Sequence, residues 1–252
     1  MENRSEANRI IDMGFEDGLS RGPLAGLFQG SLPIPSIGQA LEELALSHPH
    51  LHPESGVSVK IARKETKRAQ KKHPSLSMDE CVAIVLYAIE EEPRDISLYF
   101  MMNAALRSKD RSQVKPWRDF IWLLVNALRK LPPVDPGDVF RGCKMAPSEI
   151  NLELDVGFEF TWSAFSSTAT KLATMQQFVG KTGPRTLLTL TLTEPVGRDV
   201  RDFSLYASEN EILFPPNISF EVESWFDAGN DLVMIQCVQT ETLDAILDMN
   251  TK

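Results

Sequence analysis

Three short and widely separated segments carry the residues whose types and order could support chemistry. They are Phe140-Arg141-Gly142, Phe165-Ser166-Ser167-Thr168 and Glu209-Asn210-Glu211. A guanidinium can grip a diphosphate with its planar fork of donors, a fixed carboxylate can stabilise positive charge that develops on a sugar, and a serine can hold that carboxylate in place. Together these groups suit cleavage of a glycosidic bond whose leaving group departs as a neutral molecule, such as the nicotinamide–ribose bond of NAD.

The Glu-x-Glu pair permits two interpretations. In an extended chain Glu209 and Glu211 project to the same side, and two like charges so close are unfavourable unless both are solvated or used. In the first interpretation they form a solvated loop. In the second, Glu211 faces the sugar and Glu209 meets the incoming nucleophile, where it could orient that group or accept its proton.

The other candidates also have structural alternatives. Arg141 could hold an internal salt bridge instead of a diphosphate, and Ser167 could belong to a turn or helix cap instead of orienting a carboxylate. Phe178 could pack in the core instead of stacking on nicotinamide, while Gly142 would let a flat ring or the backbone approach closely. The prediction of a site therefore depends on the three segments together and in order.

The placement of histidine and cysteine excludes several kinds of site. The chain has four histidines, all before residue 74, so none accompanies the candidate residues. Ser-His-Asp and Cys-His catalysis are excluded there, as are the commonest zinc ligand sets. The three cysteines form no C-x-x-C pair, so we expect buried free thiols and no metal.

Charge and hydropathy narrow the class of protein. A net charge of −9 argues against a general nucleic-acid binder, because phosphate contacts need a basic face. The N-terminus is polar and no run of 18 apolar residues occurs, so we expect no signal core and no membrane association. The sequence predicts a soluble, cytoplasmic protein, or one that a specialised system secretes into a host cytosol.

The spacing of apolar residues predicts helices first and strands second. Helices are expected near residues 5–13 and 37–47 and again within 78–131, where apolar residues recur at three- and four-residue steps. Towards the C-terminus, alternating and β-branched runs predict strands. One helix is expected over 169–178, and a closing hairpin around 227–230. This order indicates an α+β fold.

A basic segment marks the predicted N-terminal extension. Residues 60–72 hold seven basic residues against one acid, in a helix-compatible pattern. A solvated helix is one interpretation, and a docking surface for an acidic partner is the other. We divide the chain into an extension of short helices and loops with this basic helix (1–76) and a domain that carries the candidate residues (77–252).

The three segments resemble the motifs of the mono-ADP-ribosyltransferases of the Arg–Ser–Glu class, which includes cholera-toxin-like bacterial toxins and vertebrate arginine-modifying ectoenzymes. That class has aromatic-Arg, then aromatic-x-Ser-Thr-Ser, then Glu-x-Glu or Gln-x-Glu. Here the matching residues are Phe140-Arg141, Phe165-Ser166-Ser167-Thr168-Ala169 and Glu209-Asn210-Glu211. The resemblance spans about residues 78–245 and includes the family's Leu-Tyr…Asn…Leu-Arg stretch at 98–107.

The resemblance implies a fold of two packed β-sheets that form an NAD cleft, flanked by N-terminal helices. It implies that NAD is a co-substrate, that no metal takes part, and that Ser167 orients Glu211. Glu209 would act on the acceptor, and Tyr206 would lie on the rim of a substrate-recognition loop over 196–208. The residues implied to bind NAD are Arg141, Gly142, Ser167, Thr168, Phe178 and Glu211.

By the same resemblance, ADP-ribose passes from NAD to a side chain of a target protein, and nicotinamide is released. Arginine is the favoured acceptor because the outer carboxylate can pair with a guanidinium; threonine or serine comes next. The run at residues 10–15 resembles the first turn of ubiquitin-associated domains, which makes ubiquitin a candidate target. The disulfide framework and export signal of the vertebrate members are missing, which suggests a cytosolic enzyme or an injected toxin or effector.

Two alternatives stay open. An NAD glycohydrolase would share the site and use water as the acceptor. A non-catalytic interaction module on a decayed transferase fold is the other, because Ala169 replaces the last serine of the Ser-Thr-Ser element and because the N-terminus is extended.

Overall fold

The computed structural model describes residues 24, 27–28, 32–205 and 210–240, except for the side chains of residues 176–178. The α-helices in this part of the chain are α1 (Ile37–Ser47), α2 (Val57–Lys72), α3 (Met78–Ala88), α4 (Leu98–Arg107), α5 (Arg118–Arg129) and α6 (Leu172–Val179). The strands are β1 (Asp138–Cys143), β2 (Glu159–Trp162), β3 (Ser166–Ala169), β4 (Arg185–Thr191), β5 (Arg198–Asp199), β6 (Glu211–Phe214), β7 (Ile218–Asp227) and β8 (Leu232–Gln239).

The expected α+β class is confirmed. The helix predicted at 37–47 and the three helices predicted within 78–131 are present, whereas the helix predicted near 5–13 lies outside the described residues. By contacts the chain divides into two compact units. In the described residues, the helical unit comprises 24–132 and 202–205, and the strand unit comprises 133–201 and 210–240.

The helical unit is built around α3, which is buried along its length from Glu80 to Ala88 and packs against α2 and α5. Two helices of this unit begin at a serine cap. Ser36 caps α1 and Ser77 caps α3, and each forms a capping box with the residue three positions on. These boxes satisfy backbone N–H groups that the first helical turn leaves without partners.

In the described residues, the strand unit contains one eight-stranded sheet, with the strands in the order β2-β7-β8-β4-β1-β3-β6-β5. We expected two packed sheets, and the structure instead joins the described strands in one sheet. The reason is that β1 pairs with β4 along its length and also with β3, through the single pair Phe140↔Ala169. The hairpin predicted around 227–230 is confirmed by the antiparallel pairing of β7 with β8.

Strands from across this sheet contribute to one hydrophobic core. Residues from β1, β2, β4, β7 and β8 pack in it together with Ile212 and Phe214 of β6. The rings of Trp162 and Phe214 lie 6.1 Å apart. A common core therefore fixes β6, which begins at Glu211, against the strand that carries Arg141.

Two further observations concern the cysteines and the described helices. Cys81, Cys143 and Cys237 are free and buried, as the sequence led us to expect. None of the helices that the structure describes has both the length and the apolar character needed to cross a bilayer.

Candidate active site

Ser167 and Glu211 form the centre of the site. Both are 1% exposed, and they lie on the adjacent antiparallel strands β3 and β6. The Ser167 hydroxyl donates a hydrogen bond to Glu211 Oε1 over 2.6 Å. This bond holds one carboxylate oxygen in a fixed direction, which is the arrangement that stabilisation of a developing cation requires.

Arg141 joins the same cluster from β1. It is 3% exposed, and its Nη1 donates to the backbone carbonyl of Ser167 over 2.5 Å. Its guanidinium carbon lies 5.3 Å from the centre of the Trp162 ring, within range of a cation–π contact. The structure thus brings Arg141, Ser167 and Glu211 together, and the arginine contacts the backbone of the serine that orients the carboxylate.

The other hydroxyls of the cluster are directed elsewhere. Thr168 Oγ1 donates to the carbonyl of Ile212 over 3.2 Å, and Ser166 Oγ donates to the carbonyl of Ala164 over 3.2 Å. These bonds satisfy backbone acceptors within the site's framework. They also distinguish Ser167, whose hydroxyl reaches a carboxylate, from its two neighbours.

Gly142 is required by the packing of α6 on β1. A Cβ placed on Gly142 would lie 2.2 Å from Cγ2 of Val179, far inside van der Waals contact. The sequence suggested that a flat ring or backbone approaches this glycine closely. In the structure, the close approach is made by a side chain of α6.

Three predicted site residues cannot be placed in the same way. Tyr206 and Glu209 lie outside the described residues. Phe178 belongs to α6 by its backbone, and its side chain lies outside the described part.

Asn210 and Arg201 support the start of β6 and were missed in the sequence. Asn210 has a left-handed backbone with φ of 50°, a conformation that asparagine tolerates better than most residues. Arg201 Nη1 donates to Asn210 Oδ1 over 3.0 Å, and Arg201 also bonds the carboxylate of Asp199. The asparagine between two glutamates was a usable signal for a turn before Glu211.

Arg198 was also missed, and no local pattern marks it. It pairs with Leu213 in the β5–β6 ladder and is 1% exposed. Its Nη1 donates to the carbonyls of Pro195 and Gly197 over 2.9 and 3.0 Å. Burial lowers the pKa of Arg198 to about 10, so the side chain keeps its charge at neutral pH and holds the loop that leads into β5.

A cavity of about 370 Å³ lies beside α6. Its lining is mostly apolar and includes Met175, Val179 and Leu187, with Lys181 and Arg185 as the charged members. Met175 and Leu187 also pack with Ala169 at the end of β3. The cavity and the buried cluster are therefore connected through this small apolar group.

The described residues contain no group of three or more histidine, cysteine, aspartate or glutamate side chains that could hold a metal ion.

Comparisons with known proteins agree with the family resemblance of the three motif segments. Residues 40–239 match the family model described as NAD:arginine ADP-ribosyltransferase. Over 103 residues the chain is 39% identical to a protein of Mycobacterium avium (strain 104) named "Putative NAD(+)--arginine ADP-ribosyltransferase Mav". That stretch is 40% of this chain but only 12% of Mav, so this chain corresponds to a small part of that relative.

Solved structures with the same fold include two bacterial proteins. The ADP-ribosyltransferase Vis from Vibrio splendidus, in complex with agmatine, is 24% identical, with a TM-score of 0.52 over 73% of this chain and 85% of that chain. The type III effector XopAI from Xanthomonas axonopodis pv. citri is 17% identical, with a TM-score of 0.61 over 86% and 92% of the two chains.

Proposed function

Since this chain belongs to the NAD:arginine ADP-ribosyltransferase family, we propose that it transfers ADP-ribose from NAD to an arginine side chain of a target protein. The observation that carries the proposal is the buried hydrogen bond from Ser167 to Glu211 beside Arg141. The three residues occur in the order of the family motif and meet at one place in the strand unit.

In the proposed reaction, the bond between C1′ of the nicotinamide ribose and the ring nitrogen breaks. Its electron pair leaves with nicotinamide, which departs neutral, and the ribose becomes oxocarbenium-like. Glu211 stabilises this charge, and Ser167 keeps the carboxylate oriented. A guanidinium nitrogen of the acceptor then bonds to C1′ and loses its proton to Glu209, as the Glu-x-Glu spacing suggests.

NAD itself is proposed to be held by the residues around this pair. Arg141 supplies a cation for the diphosphate or ribose. Gly142, which follows it on β1, and Thr168, on the neighbouring strand β3, are also proposed to contact NAD. The apolar cavity beside α6 suits a flat ring, and Lys181 adds a positive charge to its lining. Phe178, on the same helix, is proposed to stack on nicotinamide.

Arginine is the proposed acceptor, with threonine or serine next. Vis has been crystallised with agmatine, a small guanidinium compound, so agmatine is a suitable first acceptor for this chain. Ubiquitin stays a prediction, because residues 10–15 lie outside the described part of the chain. The free buried thiols support action in a reducing cytosol, either the producing cell's or a host's.

The test measures nicotinamide release and the ADP-ribosyl product by mass spectrometry, with NAD and agmatine as substrates. We expect product from the wild type and a loss of two or more orders of magnitude, roughly, for Glu211→Gln. Glu159→Gln is the matched control, because Glu159 is an exposed glutamate on β2. Free ADP-ribose without any agmatine adduct would instead identify a glycohydrolase, and no nicotinamide release from either protein would identify a non-catalytic module.

The acceptor is then identified on protein substrates in a cell lysate supplied with NAD. We expect adducts that neutral hydroxylamine releases, which is the behaviour of ADP-ribosyl-arginine. Adducts that resist hydroxylamine would overturn the arginine assignment in favour of serine or threonine.

A further inference from the structure

The exposed side of α2 carries an uninterrupted row of positive charge. Its members recur at three- and four-residue steps, and every one of their side chains is exposed. They are Lys60, Arg63, Lys64, Lys67, Arg68, Lys71 and Lys72. We call this row the basic stripe; at 1.5 Å of rise per residue it is about 18 Å long.

The opposite side of α2 fixes the direction in which the basic stripe points. Val59, Ala62, Thr66 and Ala69 are at most 1% exposed, and the helix packs against α3. Thr66 Oγ1 also donates to the carbonyl of Ala62 over 2.8 Å. Because this side of α2 is buried against α3, the basic side chains lie on the side that faces solvent.

Most charges of the basic stripe have no acidic partner in the part of the chain that the structure describes. Among the described residues, Lys72 pairs with Asp202, and the other six basic side chains have no acidic partner. Like charges three and four residues apart on a helix repel one another. Lys71 and Lys72 lie in the last turn of α2, where positive charge is favourable, so the uncompensated repulsion falls on the earlier members of the row.

We propose that the basic stripe is the docking surface for an acidic helical segment of a partner protein. With Glu65 included, residues 60–72 carry +6, and since the whole chain carries −9, the remainder carries −15. This net negative charge opposes binding of a long polyanion, such as a nucleic acid or an anionic bilayer. A short acidic segment bound along the stripe would mainly feel the stripe's own charge, because charges act over only roughly 8 Å at physiological salt.

The apolar surroundings of the basic stripe favour the same partner. Val57 and Ile61, one turn apart at the N-terminal end of the exposed side, are 56% and 38% exposed. They offer a contact for apolar residues at one end of an amphipathic acidic helix. The stripe has no aromatic side chain on which bases could stack, and the apolar side of α2 is buried rather than available to a bilayer.

The test is direct binding, and it needs neither NAD nor catalysis, so its outcome is independent of the proposed reaction. The probe is a fluorescein-labelled helical peptide of about 12 residues, matched to the length of the stripe, with glutamates at three- and four-residue steps and two leucines at one end. The comparison protein is the triple variant Lys60→Glu, Lys64→Glu, Lys71→Glu. The matched control makes the same change at three exposed lysines elsewhere, Lys109, Lys115 and Lys144.

We expect the stripe variant to bind the peptide at least about tenfold more weakly than the wild type, and the control variant to bind within about twofold. Raising the salt concentration should weaken wild-type binding. Circular dichroism and thermal melting verify that both variants stay folded. Equal binding by the two variants, or no binding of the peptide to the wild type, overturns the proposal. So does stripe-dependent binding of single-stranded RNA or phosphatidylserine vesicles in place of the peptide.

Discussion

Ala169, and not Ser167, lies directly opposite Glu211 in the antiparallel pairing of β3 with β6. Ser167 reaches the carboxylate diagonally, from two residues away on the same face of the strand. The site therefore keeps one of the two positions on β3 from which a side chain can approach this carboxylate, and the other holds a methyl group.

The diagonal hydrogen bond leads to a prediction for Ser167→Ala. Loss of the hydroxyl removes the hydrogen bond that fixes Glu211 Oε1, so we expect kcat for nicotinamide release to fall about 10- to 100-fold, with little change in KM for NAD. Ser166→Ala is the matched control, because its hydroxyl bonds the Ala164 carbonyl instead. Steady-state kinetics of the two variants decide the matter, and equal losses would show that Ser167 does not orient Glu211 for catalysis.

The direct register leads to a prediction for Ala169→Ser. Directly opposed residues in an antiparallel pair have Cβ atoms about 4.5–5.5 Å apart, so a hydroxyl at position 169 can reach the Glu211 carboxylate. We expect the double variant Ser167→Ala, Ala169→Ser to recover about tenfold of the kcat that Ser167→Ala loses. A double variant no more active than Ser167→Ala would mean that the second position cannot substitute for the first.

Much of this arrangement could be predicted from local sequence. Apolar periodicity predicted α1, α3, α4 and α5, and alternation predicted the long strands, because these signals act over a few residues. The order of Arg141, Ser167 and Glu211 identified the cluster. Its geometry could not be predicted, because the diagonal contact depends on the register of β3 with β6, which is set by packing between distant segments.

The same limit explains the residues that were missed. β5 has two residues, too few to show any alternation. Arg198 is held by carbonyls of its own loop and by burial that only the folded core creates. The boundary that we placed at residue 76 stays a prediction.

Arg141→Lys separates a grip on NAD from a purely structural role. Lysine keeps the positive charge but loses the planar fork, including the donor to the Ser167 carbonyl. We expect kcat/KM to fall at least about tenfold, with a rise in KM for NAD. Arg118→Lys, at an exposed arginine of α5, is the control. An unchanged KM with a reduced kcat would leave Arg141 acting only through Ser167.

Asp202→Asn should lower stability in a pH-dependent way. Asp202 accepts hydrogen bonds from Lys72 and from His73 Nε2, the latter over 3.1 Å. The hydrogen bond from Lys72 is the main cause that lowers the pKa of Asp202 below its ordinary value of 3.8. Because the folded pKa is depressed, this stabilisation is present above the ordinary pKa and is lost as the pH falls through the folded one.

We therefore expect Asp202→Asn to melt about 1–2 °C below the wild type at pH 7. The gap should close as the pH falls below 3.8. Thermal melts across this range measure it, with Asp95→Asn as the control, since Asp95 is exposed. A gap that stays constant with pH would show that the charge of Asp202 does not contribute.

Gly142→Ala tests the packing that brings α6 onto β1. The new methyl group would lie 2.2 Å from Val179 Cγ2, and valine, branched at Cβ, has little freedom to move aside. Overpacking of this kind costs about 1–3 kcal/mol, so we expect Gly142→Ala to lower the free energy of unfolding by that amount. Denaturant titration provides the measurement.

Val179→Ala supplies the control in a double-mutant cycle. Alone it removes two buried methyl groups and should destabilise the protein modestly, by about 1–2 kcal/mol. In the Gly142→Ala, Val179→Ala double variant the two methyl groups no longer collide, so the loss should be smaller than the sum of the single losses by at least about 1 kcal/mol. Additive losses would show that Gly142 matters for a reason other than its contact with Val179, and would remove the link between this glycine and the position of α6.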